Sequence, residues 1–407
     1  MRTARNISLM LFLLFFILAV VGGLFIANMN FVKHVPGGTE LIVPWKAMQN
    51  FMLQGVTPYG DLTKLNIQTS IYNQPILPGQ YPYRVNTPLF LLVLFLPFAW
   101  IQDFTLARVI WLIFLELGLM GVVLLSLRLS HWKPHWLFFI FILLFGFFWQ
   151  PTVTMFVTAS PIILQALVLL AALRALELGS DELAGALAAL SLLNIEATGL
   201  VFLVLIIWIF STQRWRVLAG IGMTLTILIG LSFLLLPSWL LPFIGAVMEN
   251  WRSGALPSTF ATLQQWLPGI GNRLAQILAV AALTIGLLEW RAVRRQDVRW
   301  LFWTSCLTAA LAPLFGIPYT PAWLAFTLPG VLLVASVMTQ RWGILGLVTA
   351  IIVMAGIFLG LWAAQLNGLT SVFILFYPLS LTLLLYWVRW GAVRPPRLWA
   401  DEIKLRG

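Results

Sequence analysis

A polytopic, all-α transmembrane bundle is the fold class the sequence predicts, and three observations predict it. Of the 407 residues, 61% are hydrophobic and 9% charged, against about 25% charged in a soluble domain. So little charge cannot cover a water-facing surface. The apolar residues run unbroken, rich in Leu, Ile and Phe, which selects helices in lipid and excludes the alternating strands of a barrel. Many of the 20 Trp residues sit at the ends of these runs (Trp100, Trp149, Trp239, Trp251, Trp342, Trp390), as in an aromatic belt at the bilayer interfaces.

The apolar blocks fall at 7–29, 87–101, 105–127, 136–157, 161–178, 183–210, 215–236, 271–290, 300–316, 322–339, 342–365 and 369–390. They predict about ten to twelve spans in one integral membrane domain over 1–407. The first block is too long for the apolar region of a signal peptide and reads as a retained anchor, with Arg2 and Arg5 inside. Basic turns at Arg128–His135, Arg214–Arg216, Arg291–Arg299 and Arg341, and the tail from Arg389 to Arg406, mark the inner side. Both termini are therefore expected in the cytoplasm, and the protein in the cell (plasma) membrane. The same distribution accounts for the net charge of +11. With no contiguous basic face, nucleic acid is not an expected partner.

Block 183–210 exceeds one span and is interrupted at Asn194-Ile195-Glu196, which predicts a hairpin of two short helices with Glu196 near its tip. Block 87–101 is either re-entrant or spanning. Two exterior loops follow, 30–86 and 237–270. Within the first, Pro44 suits a helix opening and Gly55 a stop. Lys46, Asn50 and Gln54 repeat every four residues opposite Trp45, Met48 and Met52, the pattern of a short interfacial helix.

Several chemistries have no motif here. There is no phosphate-binding P-loop, and Gly269-Ile270-Gly271 stands alone without a preceding strand. No Asp-x-Asp pair occurs, and Pro134 between His131 and His135 spoils their helical spacing as metal ligands. The single cysteine, Cys306, allows no disulfide framework. Neither a metal nor a cofactor is expected.

Of the 13 acidic residues, most fall in turns, at block ends or in the tail, where solvation explains them. Glu289 is among these. Glu116 lies within a block, as a packed polar residue or part of a polar cavity. Glu40 and Asp61 lie in the first exterior loop, with Lys33, His34 and Lys46 nearby and Arg84 at its far end. A carboxylate beside cations at a membrane surface suits transfer from a lipid phosphate. The carboxylate takes a proton from an acceptor hydroxyl, and the cations stabilise the departing phosphate.

The loop has an ordered set of motifs: Gly37-Gly38-Thr39-Glu40, the helical stretch Trp45 to Gln54, Gly55-Val56-Thr57-Pro58-Tyr59, and Tyr81-Pro82-Tyr83-Arg84-Val85-Asn86-Thr87-Pro88. This order resembles the polyprenol-phosphate-sugar-dependent membrane glycosyltransferases of the GT-C superfamily. The nearest likeness is to the mannosyltransferases of glycosyltransferase family 87 (the DUF2029 group). It is sharp over about residues 35 to 100. The resemblance implies an inverting transferase that needs no metal and moves a hexose, mannose first, from a polyprenyl-phosphate donor to a lipid or glycan acceptor on the outer face. It implies Glu40 as the base, where relatives usually carry Asp. It also puts Asn194-Ile195-Glu196 where relatives often show a Lys-Pro pair.

On this reading Lys33, His34, Arg84 and Arg252 are candidates to hold the donor phosphate. Trp45, Tyr59, Asp61, Tyr81, Tyr83 and Gln265 are candidates to touch sugar or lipid. Membrane lipids are the remaining partner. Two other classes stay open: a non-catalytic lipid-binding relative, and a transporter using Glu116, Glu196, Arg108 and Arg174.

Overall fold

The computed structural model describes residues 2–74, 76–77, 80–253, 258–317 and 319–394. Among them all regular structure is helical, and the helices of eight or more residues are numbered here. The first half contains α1 (Arg2–His34), α2 (Thr39–Gln54), α3 (Asp61–Tyr72), α4 (Phe104–Leu129), α5 (Trp136–Phe148), α6 (Gln150–Thr158), α7 (Ile162–Glu177) and α8 (Asp181–Leu190). The second contains α9 (Ile195–Thr212), α10 (Trp215–Leu235), α11 (Leu240–Ser253), α12 (Thr259–Trp266), α13 (Gly271–Ala292), α14 (Val298–Leu311), α15 (Leu328–Leu366) and α16 (Phe376–Trp387).

Among the described residues six helices are long and apolar enough to cross a membrane, or up to eight if the bent pairs α1–α2 and α5–α6 each count as one. The ten to twelve blocks of the sequence exceed this for identifiable reasons. At 1.5 Å per residue, α15 would be about 60 Å long, roughly twice a bilayer core. Gly343 (φ 55°, ψ −125°) breaks it into two arms, close to the turn expected at Arg341. Block 87–101 holds only short helical turns over Leu89–Ala99, too short to count among these helices. Both its ends stay beside the first exterior loop: the Tyr59 hydroxyl donates to the Thr87 carbonyl at 2.8 Å, and Trp45 Nε1 donates to the Phe98 and Ile101 carbonyls.

Small residues set the closest helix contacts. A Cβ on Gly185 of α8 would fall 2.1 Å from the Val217 carbonyl of α10, and one on Gly220 of α10 would fall 2.3 Å from the Glu182 carbonyl. These two glycines let the backbones touch, as small residues do between membrane helices. Block 183–210 divides at a 3₁₀ turn over Ser191–Asn194, with Glu196 in the first turn of α9, but the expected hairpin of short helices is corrected: α8 packs on α7 and α10, and α9 is 18 residues, long enough to cross a membrane.

Three further expectations are corrected. Trp149 and Trp239 are buried rather than interfacial, because neighbouring helices enclose these two run ends. Glu289 is buried rather than solvated, holding Arg389 at 2.9 Å and accepting from the Tyr386 hydroxyl at 2.9 Å. The intramembrane charges are also engaged locally. Glu116 accepts from Asn28 at 3.0 Å, Arg174 bonds Glu177, and Arg108 bonds two backbone carbonyls. Among these three no chain of charges remains to form a transport path.

The turns expected inside meet at one end of the bundle, where His131, Arg214, Arg295 and Arg299 line a polar cleft of about 780 Å³. The segments expected outside meet elsewhere, around a second cavity.

Candidate functional site

The first exterior loop opens on a tight reversal at Gly37-Gly38. Gly38 sits at φ +86°, and its N–H bonds the Val157 carbonyl at 2.8 Å. A Cβ on Gly37 would lie 2.3 Å from that same carbonyl. Arg108 fixes the junction from below: one guanidinium nitrogen donates to the Val35 carbonyl at 2.9 Å and another to Val157 at 3.1 Å. The chain leaves this clamp as α2, bent 98° away from α1.

Helix α2 starts at Thr39, five residues before the expected opening at Pro44, and ends at Gly55 as expected. Gly38 accepts from Leu41 and Ile42 and so nucleates the helix early. Pro44, now inside it, has no N–H to offer the Glu40 carbonyl one turn back. The amphipathic reading of α2 fails as well. Asn50, expected on the wet face, is buried together with Trp45 and Met48. Helix α3 and the Leu89–Ala99 segment cover it, which no local periodicity reveals.

Glu40 therefore stands in the first turn of a packed helix, not in a solvated loop. It is half-buried and lines a cavity of about 710 Å³. Ser160 Oγ donates to its Oε2 at 2.5 Å, and Trp323 Nε1 donates to the same oxygen at 3.4 Å. Burial raises its pKa above the usual carboxylate value, and hydrogen bonds from Ser160, Trp323 and Thr158 partly oppose the rise. A carboxylate so raised is a stronger proton acceptor, nearer the pH at which it would work. Loss of activity on acidification is therefore expected above the ordinary carboxylate range. Ser160→Ala removes a bond that lowers the pKa, so it moves this acid limb to still higher pH. A pH–rate profile of both proteins checks the direction.

The cavity has two characters. Glu40, Thr39, Tyr81, Tyr83 and Arg84 make one polar region, while Phe90, Leu192, Leu193, Ile244, Val247 and Met248 make an apolar wall. Tyr81 and Tyr83 pack edge to face, with ring centroids 4.8 Å apart. Tyr83 hydrogen-bonds Thr39, and desolvation raises its phenol pKa. Arg84, with a side chain only 8% exposed, pairs with Glu249 of α11. Lys64 meets the same carboxylate at 3.3 Å. Glu249 thus ties the first exterior loop to the second.

The structure brings together Glu40, Tyr81, Tyr83 and Arg84, and sets the other candidates apart. Trp45 is buried, with its indole N–H used on backbone carbonyls, so it has no face for sugar. Tyr59 and Asp61 line a smaller polar pocket of about 190 Å³, shared with Lys64, Arg84 and Glu249. Lys33 and His34 are exposed at the end of α1, and His34 Nδ1 lies 2.8 Å from the Asn30 carbonyl. Gln265 is exposed on α12, away from the cavity lining. The Arg252 backbone belongs to α11, but its side chain lies outside the described residues, as do the side chains of Arg2 and Arg5 and the tail beyond Arg394.

Sequence reading missed Ser160, Thr158 and Trp323, the groups that hold Glu40, and the pairing of Glu249 with both Arg84 and Lys64. Thr320 to Trp323, at the break between two apolar blocks, also line this cavity.

A model of glycosyltransferase family 87 matches residues 86–316, more than half of the 407-residue chain. The match takes in the cavity wall at 192–196 and 243–248 but begins after Glu40. No curated protein and no solved structure matches the chain.

Proposed function

The chain belongs to glycosyltransferase family 87, and from that membership we propose that it moves a hexose, mannose first among candidates, from a polyprenyl-phosphate donor to an acceptor hydroxyl at the outer face of the membrane. The observation that carries this reading is the two-sided cavity, in which a held carboxylate and an arginine face the same space as an apolar wall. The apolar wall suits a polyprenyl chain, and the polar region suits its phosphate and sugar.

Glu40 takes the proton from the acceptor hydroxyl as that oxygen bonds to the anomeric carbon. The bond between the anomeric carbon and the phosphate oxygen breaks. Polyprenyl phosphate leaves with the bonding pair, and attack from the opposite side inverts the anomeric centre. Arg84 stabilises the developing phosphate charge, for which its forked donors are suited. Ser160 and Trp323 keep the carboxylate aimed. No step calls for a metal.

The direct test is transfer of labelled hexose from a polyprenyl-phosphate donor by the full chain in proteoliposomes. Absence of transfer from every such donor would overturn the reading. The Arg84 pair gives a signed prediction within the same assay. Arg84→Gln raises the donor KM, whereas Glu249→Gln releases Arg84 from its resident carboxylate and lowers it. The Glu249 carboxylate is largely exposed while Arg84 is nearly buried, so a phosphate competes with Glu249 for the guanidinium, and the Glu249→Gln effect is a several-fold fall in donor KM.

A further inference from the structure

One carboxylate on the cavity wall has no part in the mechanism above. Glu196 lines the same space as Glu40 and Arg84, in the first turn of α9. Its neighbours along the wall, Leu192, Leu193 and Ile195, are apolar. Among the described residues no hydrogen bond or ion pair reaches its carboxyl group. A half-buried acid among apolar neighbours, with no partner in its own chain, is costly, and it marks a place where a ligand supplies the partner.

The chemistry of that partner is constrained. A phosphate is repelled by the carboxylate and is better received at Arg84. A polyprenyl chain offers no donor. A hexose offers adjacent hydroxyl groups, and a carboxylate's two oxygens can accept from both at once. Glu40 occupies the acceptor side of the reaction, which leaves Glu196 to the transferred sugar.

We infer that Glu196 is the sugar-reading carboxylate of this cavity, accepting hydrogen bonds from adjacent hydroxyls of the donor hexose and so setting which hexose is transferred. The inference rests on the glycosyltransferase reading. Glu196 touches no reacting atom in this scheme, so its removal acts on donor recognition and not on the proton transfer at Glu40.

The experiment compares the full chain, Glu196→Gln and Glu196→Leu in proteoliposomes. The donors are a polyprenyl-phosphate hexose and its monodeoxy analogues. The expected result for Glu196→Leu is a donor KM raised by about 10- to 100-fold with kcat nearly kept. Discrimination against the analogue that lacks the contacted hydroxyl should also collapse. Glu196→Gln, which can still accept one bond, falls between. Leu suits the apolar wall, and the melting temperature of each variant in detergent reports its folding separately. An unchanged order of preference among the deoxy donors overturns the inference, as does a kcat lowered equally for all of them. If the unaltered chain transfers from no donor, the parent reading fails as well. If it transfers and the variants discriminate as it does, only the inference fails.

Discussion

Glu40→Gln is expected to lower kcat for hexose transfer by about 10²- to 10⁴-fold, the usual contribution of a general base. Donor binding should be retained. The substitution keeps the shape of the side chain and its bonds from Ser160 and Trp323, and removes only its capacity to take a proton. Glu40→Asp is the companion variant. It keeps the acid and withdraws it by roughly 1.5 Å, a displacement that costs on the order of 10²-fold in rate. Ser160 and Trp323 are placed for the longer arm, so the shorter acid loses its supports as well. Single-turnover transfer and equilibrium donor binding, measured side by side, separate chemistry from binding. A Gln variant with full activity would remove Glu40 from the mechanism and leave the family assignment standing.

The second large effect is expected at a residue that touches no substrate. Arg108 is 2% exposed, and its two bonds join the end of α1 to the end of α6. Arg108→Ala removes two charge-assisted bonds worth about 1.5–3 kcal/mol each and leaves the Val157 carbonyl with only its bond from the Gly38 N–H. The melting temperature in detergent should drop markedly. Transfer should fall further than the loss of folded protein explains, because Gly38 and Glu40 follow directly from the clamped junction. Arg108→Lys should recover part of the stability, since a single ammonium cannot reach both carbonyls with a fork's geometry. A melting temperature and kcat unchanged by Arg108→Ala would show that the glycine reversal holds itself.

The sequence makes the membrane bundle legible because hydropathy is local and lipid imposes it residue by residue. The gathering of the basic turns at one cleft was legible from their shared Lys and Arg content. The Tyr81-Pro82-Tyr83-Arg84 exit was legible as a motif and does line the cavity. Trp45 was not legible, because its place on a helix face gives no hint that the Phe98 and Ile101 carbonyls will consume its donor. Ser160 and Trp323 were not legible either. They lie 120 and 283 residues from Glu40, and nothing local marks a serine or a tryptophan for that contact. The same holds for Glu249, whose partners are a first-loop lysine and arginine.

The reach of Trp323 across the chain to Glu40 bears on how the protein is made. A nascent chain halted before Thr320 already contains Glu40, Ser160 and Arg84, yet lacks the indole and the turn that complete the cavity. Both donors to the Glu40 oxygen are present only after about four-fifths of the chain has been made. A chain split between Val298 and Thr320 is therefore expected to regain the contact of Trp323 with Glu40 only by reassembly of the two parts.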